Sequence, residues 1–289
     1  MLVMLCALPP SYSSAQPRTE PQVLRTALPW TIAPRSSLSA HRLPARAPRA
    51  VIHAPSHLDL SQPLRLVVFL HGWSGCSRVL GLSGQVACIR GGTAREGWGL
   101  IAKHEEAGTN TIFIIPQLAW MQRSGRAGRF RSPGFAQSWL RRLVTEHIAP
   151  RLSAPNAANL VLEAPITLLA HSAGYETALA WLEDESLAQR IDSVVLFDAL
   201  YAGEEAFWQW AQSPQSTRRV LSIHGSGGTP RRHTRALRRL AGLSPDSPTA
   251  PLSVIDGAPV HSLETRVPHA DIPHEHLVEV LSQFGGSRR

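Results

Sequence analysis

The sequence predicts an α/β fold of three layers, with a mostly parallel central sheet covered by helices on both faces. Two patterns carry this. Consecutive apolar residues recur in short runs at 66–70, 111–115, 166–170, 193–198, 220–224 and 252–255, and unbroken rather than alternating apolarity is what a strand buried on both faces requires. Between the runs, apolar residues take helical spacing around 136–148, 173–183, 203–212 and 273–284. Strands alternating with helices imply parallel pairing with crossover helices. A chain of 289 residues, 43% hydrophobic and 17% charged, is long enough to bury such a core.

The N-terminal part is of different composition. Met1 to Leu8 is apolar and leads into Pro9-Pro-Ser-Tyr-Ser-Ser-Ala15, a short hydrophobic region with a small-residue cleavage site, so residues 1–15 are expected to be a signal peptide, although no Lys or Arg precedes the apolar part. Residues 16–60 mix Pro, Arg, Ser and Ala without a sustained period and are expected to form a flexible linker, leaving 61–289 as the folded domain. No stretch supplies the roughly twenty apolar residues of a membrane-spanning helix.

The first strand of that domain ends in a turn. In Leu66-Val-Val-Phe-Leu-His-Gly-Trp-Ser-Gly-Cys76 five apolar residues stop at His71-Gly72. A hundred residues on, Ile166-Thr-Leu-Leu-Ala-His-Ser-Ala-Gly-Tyr-Glu-Thr-Ala178 passes from a buried-strand run through small-x-Ser-x-Gly into a helical pattern. A reversal this sharp strains the backbone at Ser172 and leaves room only for small residues two before and two after it, here Ala170 and Gly174. A second Gly-Ser-Gly, His224-Gly-Ser-Gly-Gly228, also follows an apolar run. A histidine stands two before its Ser226, and Thr229-Pro230 and a basic stretch follow it in place of an apolar-faced helix, so Ser172 is preferred.

The two segments together resemble the α/β-hydrolase superfamily, with Ala170 in place of the usual first glycine of Gly-x-Ser-x-Gly. The resemblance implies that Ser172 is a nucleophile and that the backbone N–H groups of Trp73 and Ala173 form an oxyanion hole. It also implies the chain order Ser, acid, His. The histidine is then sought in Val267-Pro-His-Ala-Asp-Ile-Pro-His-Glu-His-Leu277, before and within a closing helix with Pro273 in its first turn. His269, in the loop, is preferred to His274, and His274 and His276 otherwise read as a solvated helix face. For the acid, Asp198 ends the run Ser193-Val-Val-Leu-Phe-Asp198, on the sheet edge where α/β folds carry their sites. Asp256 is the alternative. Asp198 also reads as a cap for the helix around Glu204 to Trp210.

The remaining features bound the function. Cys76 and Cys88 remain as an even pair once a signal peptide carrying Cys6 is removed, and a bridge between them implies an oxidising compartment and export, periplasmic or extracellular. No CxxC or HExxH spacing suggests a metal. The net charge is +8, and Lys103 is the only lysine. The arginine pairs 141–142, 218–219, 231–232 and 238–239 read as a solvated basic surface, because the aromatic interleaving of single-strand binders is missing and no nucleic acid is expected. Trp73, Trp98, Trp120, Trp208 and Trp210 are candidates for a pocket or for the core. The expected protein is a monomeric serine hydrolase for esters or related acyl compounds, needing no cofactor. A peptidase, an acyltransferase or a non-catalytic binding protein on the same fold stays open.

Overall fold

The computed structural model describes residues 30–32, 50–73, 75–88, 91–118, 127–213, 218–245, 252 and 258–284. Its strands are β1 (Trp30–Ile32), β2 (Ala50–Ala54), β3 (Arg65–Leu70), β4 (Gln85–Ala87), β5 (Ala94–Glu96), β6 (Thr111–Pro116), β7 (Ile166–His171), β8 (Ile191–Phe197), β9 (Arg219–Gly225) and β10 (Val260–Thr265). Eight of these form one sheet in the order β1-β2-β6-β3-β7-β8-β9-β10, while β4 and β5 pair as a separate hairpin. The strands from β6 to β10 in that order are mutually parallel, and β1 and β2 join antiparallel at one edge.

The unbroken apolar runs follow from coverage on both faces. In β3, Leu66, Val68 and Leu70 belong to one buried cluster and Val67 and Phe69 to the other, and β6 divides in the same way into Ile112 and Ile114 against Phe113 and Ile115. With the alternating side-chain directions of a strand, every position meets a core. The helices are α1 (Ser77–Gly81), α2 (Leu100–Ala107), α3 (Phe135–Leu143), α4 (Ala157–Glu163), α5 (Tyr175–Glu183), α6 (Glu185–Ala188), α7 (Glu204–Ala211), α8 (Gly228–Leu240) and α9 (Ile272–Phe284). Helices α3 to α8 contribute to the first cluster and α1, α2 and α9 to the second. The three-layer α/β architecture is the one the pattern predicts.

Several boundaries differ from the sequence reading. The sheet starts inside the segment read as a linker over 16–60: β1 lies there, and β2 is buried along its whole length against β6. Five residues flanked by Pro and Arg are too short a run to register as a core strand. The strand expected at 252–255 lies, apart from Leu252, outside the described residues, and the final strand is instead β10. Among the described residues it pairs with β9 alone, and it carries His261, Ser262, Glu264 and Thr265, which hides it from an apolar-run criterion. The helix expected over 136–148 leaves α-geometry after Leu143 for a π turn at Val144–Ile148, two residues before Pro150, whose missing N–H cannot continue an α-ladder.

The largest correction concerns α8. A helix does follow Ser226, with Pro230 in the first turn, where its absent N–H is not needed. Only Pro230, Thr234 and Leu237 are buried on it, about one residue per turn, too thin a stripe to outweigh its arginines in the sequence pattern.

Cys76 and Cys88 are bridged, with their Cα atoms 6.0 Å apart. The bridge closes the segment containing α1 and β4 over a small cluster of Cys76, Val79 and Val86, packed against Leu82 and Trp98. Closing a loop of this length constrains the unfolded chain by on the order of 3 kcal/mol in the chain-entropy model. Cys88→Ser is therefore expected to lower the unfolding free energy in urea by about that amount. Alkylation without prior reduction should modify neither thiol of the oxidised wild-type protein; modification of both would remove the bridge.

Candidate functional site

Ser172 is held in a conformation that few side chains tolerate. Its φ is +53°, in the left-handed region, as the chain leaves β7 and enters a 3-10 turn, Ser172–Gly174, that runs directly into α5. Such a residue costs of order 1–3 kcal/mol and persists only where its surroundings over-determine it. Here they do. A Cβ on Gly174 would overlap the Leu70 carbonyl oxygen, so only glycine lets the turn lie against the end of β3. A Cβ on Gly72 would come within 2.6 Å of the Ser172 Cβ and 3.1 Å of the Ala173 nitrogen. The loop after β3, which carries Trp73, is thereby pressed onto the elbow that carries Ala173.

That loop is braced by His71, which the sequence reading takes only as the end of a strand, and by Gln117, which it does not single out. The buried His71 ring accepts the Leu118 N–H at Nε2, 3.0 Å, and its Nδ1 lies 3.0 Å from the Gly72 carbonyl, which fixes the proton on Nδ1. Gln117 donates to the Gly75 carbonyl and accepts from the Ser77 N–H, 2.9 Å. Nothing in a sequence marks such supports, since His71 reads as a strand-ending residue and Gln117 as an ordinary loop polar group.

Asp198 and His269 meet as the sequence reading expects. His269 Nδ1 lies 2.6 Å from Asp198 Oδ2, and the Gly225 N–H donates to Asp198 Oδ1 at 3.2 Å. Asp198 is itself left-handed, with φ +43°, and its N–H donates to the Ile223 carbonyl at 2.7 Å. Burial pushes its carboxyl up, but the hydrogen bonds from His269 and Gly225 and the nearby imidazoles outweigh it, holding the group below the ordinary carboxylate range. It does not cap α7, whose N-cap is Gly203.

The loop carrying His269 is tied back to the elbow. His171, the residue before Ser172, is buried and lies with Nε2 3.0 Å from the His269 carbonyl, so that nitrogen carries the proton. The two rings sit 4.6 Å apart, with Trp98 meeting His171 edge-on at 5.4 Å. Burial, reinforced by His269, pushes the His171 pKa down to about 4, which keeps it neutral as a donor. Tyr201 is a further neighbour: burial, with the charge of Asp198, raises its phenol pKa, and the nearby Ser172 side chain offsets part of that rise.

Ser172 and His269 open together onto a cavity of about 280 Å³. Val79, Leu80 and Trp98 give it apolar walls, Arg95 stands at its hairpin side, and Trp73 is on its rim. Trp210 is instead a core residue and Trp208 packs against the core; Trp120 lies outside the described residues. Of the other candidates, His274 is on the first turn of α9 beside Glu275, and His276 lies 3.2 Å from Thr265 Oγ1. Ser226 is exposed and takes no left-handed φ, and Asp256 is outside the described residues. Among the described residues no group of three or more His, Cys, Asp or Glu could hold a metal.

No family model matches the chain, and no curated protein matches it. Solved structures do. The feruloyl esterase module from Clostridium thermocellum, a mutant complexed with sinapinate, is 10% identical over 89% of this chain and 97% of its own, with a TM-score of 0.51. A CE1 ferulic acid esterase from the anaerobic fungus Anaeromyces mucronatus is 14% identical over 96% of both chains, TM-score 0.41, and a cold-adapted esterase from an Arctic intertidal metagenomic library is 14% identical over 81% of this chain and 87% of its own, TM-score 0.44. The first of these likenesses, with the sheet order and the elbow, defines the class: the chain has the α/β-hydrolase fold.

The neutral histidines around the site have a consequence for stability. His71 and His171 are held at about 4 by burial, and burial also depresses His104, which is bonded to His53 and Thr111 beneath β6. Between pH 6.5 and 4 the unfolded chain binds protons at these positions and the folded chain does not, so stability falls as pH falls through that window. The slope approaches about 1.4 kcal/mol per pH unit per histidine, or roughly 3 kcal/mol each for His71 and His171 across it. Urea midpoints at pH 7.5, 6, 5 and 4.5 should decline throughout the series; a flat profile would contradict neutral burial.

Proposed function

We propose that the protein is a serine hydrolase that cleaves an ester or related acyl bond through Ser172, His269 and Asp198. The observation that carries the reading is the 2.6 Å contact of Asp198 with His269 Nδ1, in a loop tied to the strained elbow of Ser172. With Nδ1 engaged by the carboxylate, Nε2 is the ring nitrogen left to accept the serine proton.

The steps follow from that tautomer. Ser172 Oγ bonds to the acyl carbon as His269 takes its proton, and the carbonyl π electrons move onto oxygen. The Trp73 and Ala173 N–H groups are assigned to that oxyanion because their loops are in contact at Gly72. When the tetrahedral adduct collapses, the bond to the leaving oxygen breaks and His269 returns the proton to it. Water then repeats the sequence on the acyl-enzyme, releasing the acid and restoring Ser172. Asp198 stays ionised throughout and stabilises the imidazolium, a role its lowered pKa suits.

The apolar cavity sets the scale of substrate. At about 280 Å³ it lies at the small end of ligand pockets and suits a compact acyl group, short or aromatic, against Val79, Leu80 and Trp98. Water as acceptor distinguishes this reading from acyl transfer, in which added alcohols or amines would divert the acyl group. No helix among the described residues is long and apolar enough to cross a membrane. An exported location accords with the bridged cysteines.

Kinetics on an activated short-chain ester test the roles. Ser172→Ala should lower kcat by at least about a thousandfold with the fold retained, and Ser226→Ala should leave it nearly unchanged. His269→Ala should be as damaging as Ser172→Ala. Asp198→Asn should cost up to about 10⁴, since an amide can hold the wrong tautomer and cannot stabilise an imidazolium. Activity that survives Ser172→Ala and disappears with Ser226→Ala would reverse the assignment.

A further inference from the structure

Among the described residues that line the cavity of Ser172 and His269, Arg95 is the one permanent charge. We propose that its guanidinium selects anionic esters, those that carry a carboxylate on the part held in this cavity. The inference rests on the hydrolase reading and names the substrate class of that same site.

The β4–β5 hairpin decides where the arginine goes. Arg95 pairs with Val86, and residues directly opposite in an antiparallel pair share a face. Val86 is buried in the cluster with Cys76 and Val79, both of which also line the cavity, so the Arg95 stem leaves the hairpin on the cavity side. The next residue, Glu96, turns to the other face, where Gln85 donates to its carboxylate at 2.8 Å. The acid nearest in sequence is therefore turned away and engaged, and among the described residues no carboxylate pairs with Arg95. Arg95 is exposed, but it borders the apolar walls of Val79, Leu80 and Trp98, and walls of low dielectric focus a charge's field into the cleft they enclose.

The hairpin is fixed at the wall from both ends. The bridge ties Cys88, just past β4, to Cys76 in the cavity lining. After β5 the Gly97 N–H donates to the Gly84 carbonyl and the Trp98 N–H to the Val79 carbonyl, at 2.8 and 2.7 Å, while a Cβ on Gly97 would overlap the Leu82 carbonyl oxygen. The strand presenting the guanidinium is thus in place beforehand, which spares binding the cost of ordering a loop. His71 and His171, kept neutral by burial, add no competing charge. A single guanidinium offers two parallel N–H donors in one plane, the match for a planar carboxylate.

Paired substrates assayed on the full chain in low salt test this. One pair differs on the acyl side: the para-nitrophenyl monoester of adipic acid against an ester of the same length ending in isopropyl in place of the carboxylate. The other differs on the alcohol side: the butyrate of para-hydroxybenzoate against that of para-hydroxybenzamide. In at least one pair the anionic-to-neutral ratio of kcat/KM should fall at least about fivefold on Arg95→Gln, through a higher KM for the anionic ester, and the pair that responds tells which side of the ester faces Arg95. Arg95→Lys, which keeps the charge without the fork, should lie between Arg95→Gln and the wild type. Arg141→Gln, an equal change in net charge on exposed α3 surface, should leave the ratio at its wild-type value. Partial misfolding lowers both rates of a pair alike, so it does not move the ratio. No fall in either pair, or an equal fall in Arg141→Gln, would overturn the proposal, while turnover that disappears with Ser172→Ala would still uphold the hydrolase reading. Turnover of none of these esters by a protein that forms a fluorophosphonate adduct on Ser172 would overturn the substrate class alone; without the adduct, both readings fall.

Discussion

The architecture of the site depends on one close approach, the packing of the turn after β7 onto the end of β3. It requires glycine at 72 and 174 and forces Ser172 into the left-handed region. Among the described non-glycine residues only Ser172 and Asp198 have positive φ, and they stand at the ends of adjacent parallel strands. Strain of this kind is sustained by the sheet on both sides of it. The strands meeting there are buried on both faces, and the loops around them are cross-braced by His71, Gln117 and His171.

Burial gives those braces their chemical character. Neutral imidazoles at 71 and 171 can donate at one nitrogen and accept at the other, which an ammonium or a carboxylate could not do at the same positions. They hold two loops without adding charge to a site whose partly buried carboxylate, Asp198, is compensated by His269 and a backbone N–H. The same desolvation that makes the braces neutral makes them an acid liability. Stability toward low pH and order at the site are coupled through these residues.

Much of this was legible in the sequence because the central strands are buried on both sides. Such strands write unbroken apolar runs, and β3, β6, β7, β8 and β9 each fall within a residue or two of the expected positions. The elbow at Ser172 was legible because its steric demand reaches the sequence as Ala170 and Gly174. His269 and Asp198 followed from chain order and strand ends, and the structure brings the pair together. What was not legible lies at the edges. Strand β10 is mostly polar, β2 is short and embedded among prolines and arginines, and α8 buries about one residue per turn. Supporting contacts such as His171 to the His269 carbonyl join residues 98 positions apart and leave no local pattern.

The central claim is that Ser172 is a nucleophile activated by His269. Covalent labelling with a fluorophosphonate reports that property without a known substrate, because the reagent phosphonylates a serine only where a base raises its nucleophilicity. Peptide mapping by mass spectrometry should find one adduct, on Ser172, with none formed on the His269→Ala variant. An adduct on Ser226, or no adduct on the folded wild-type protein, would contradict the account.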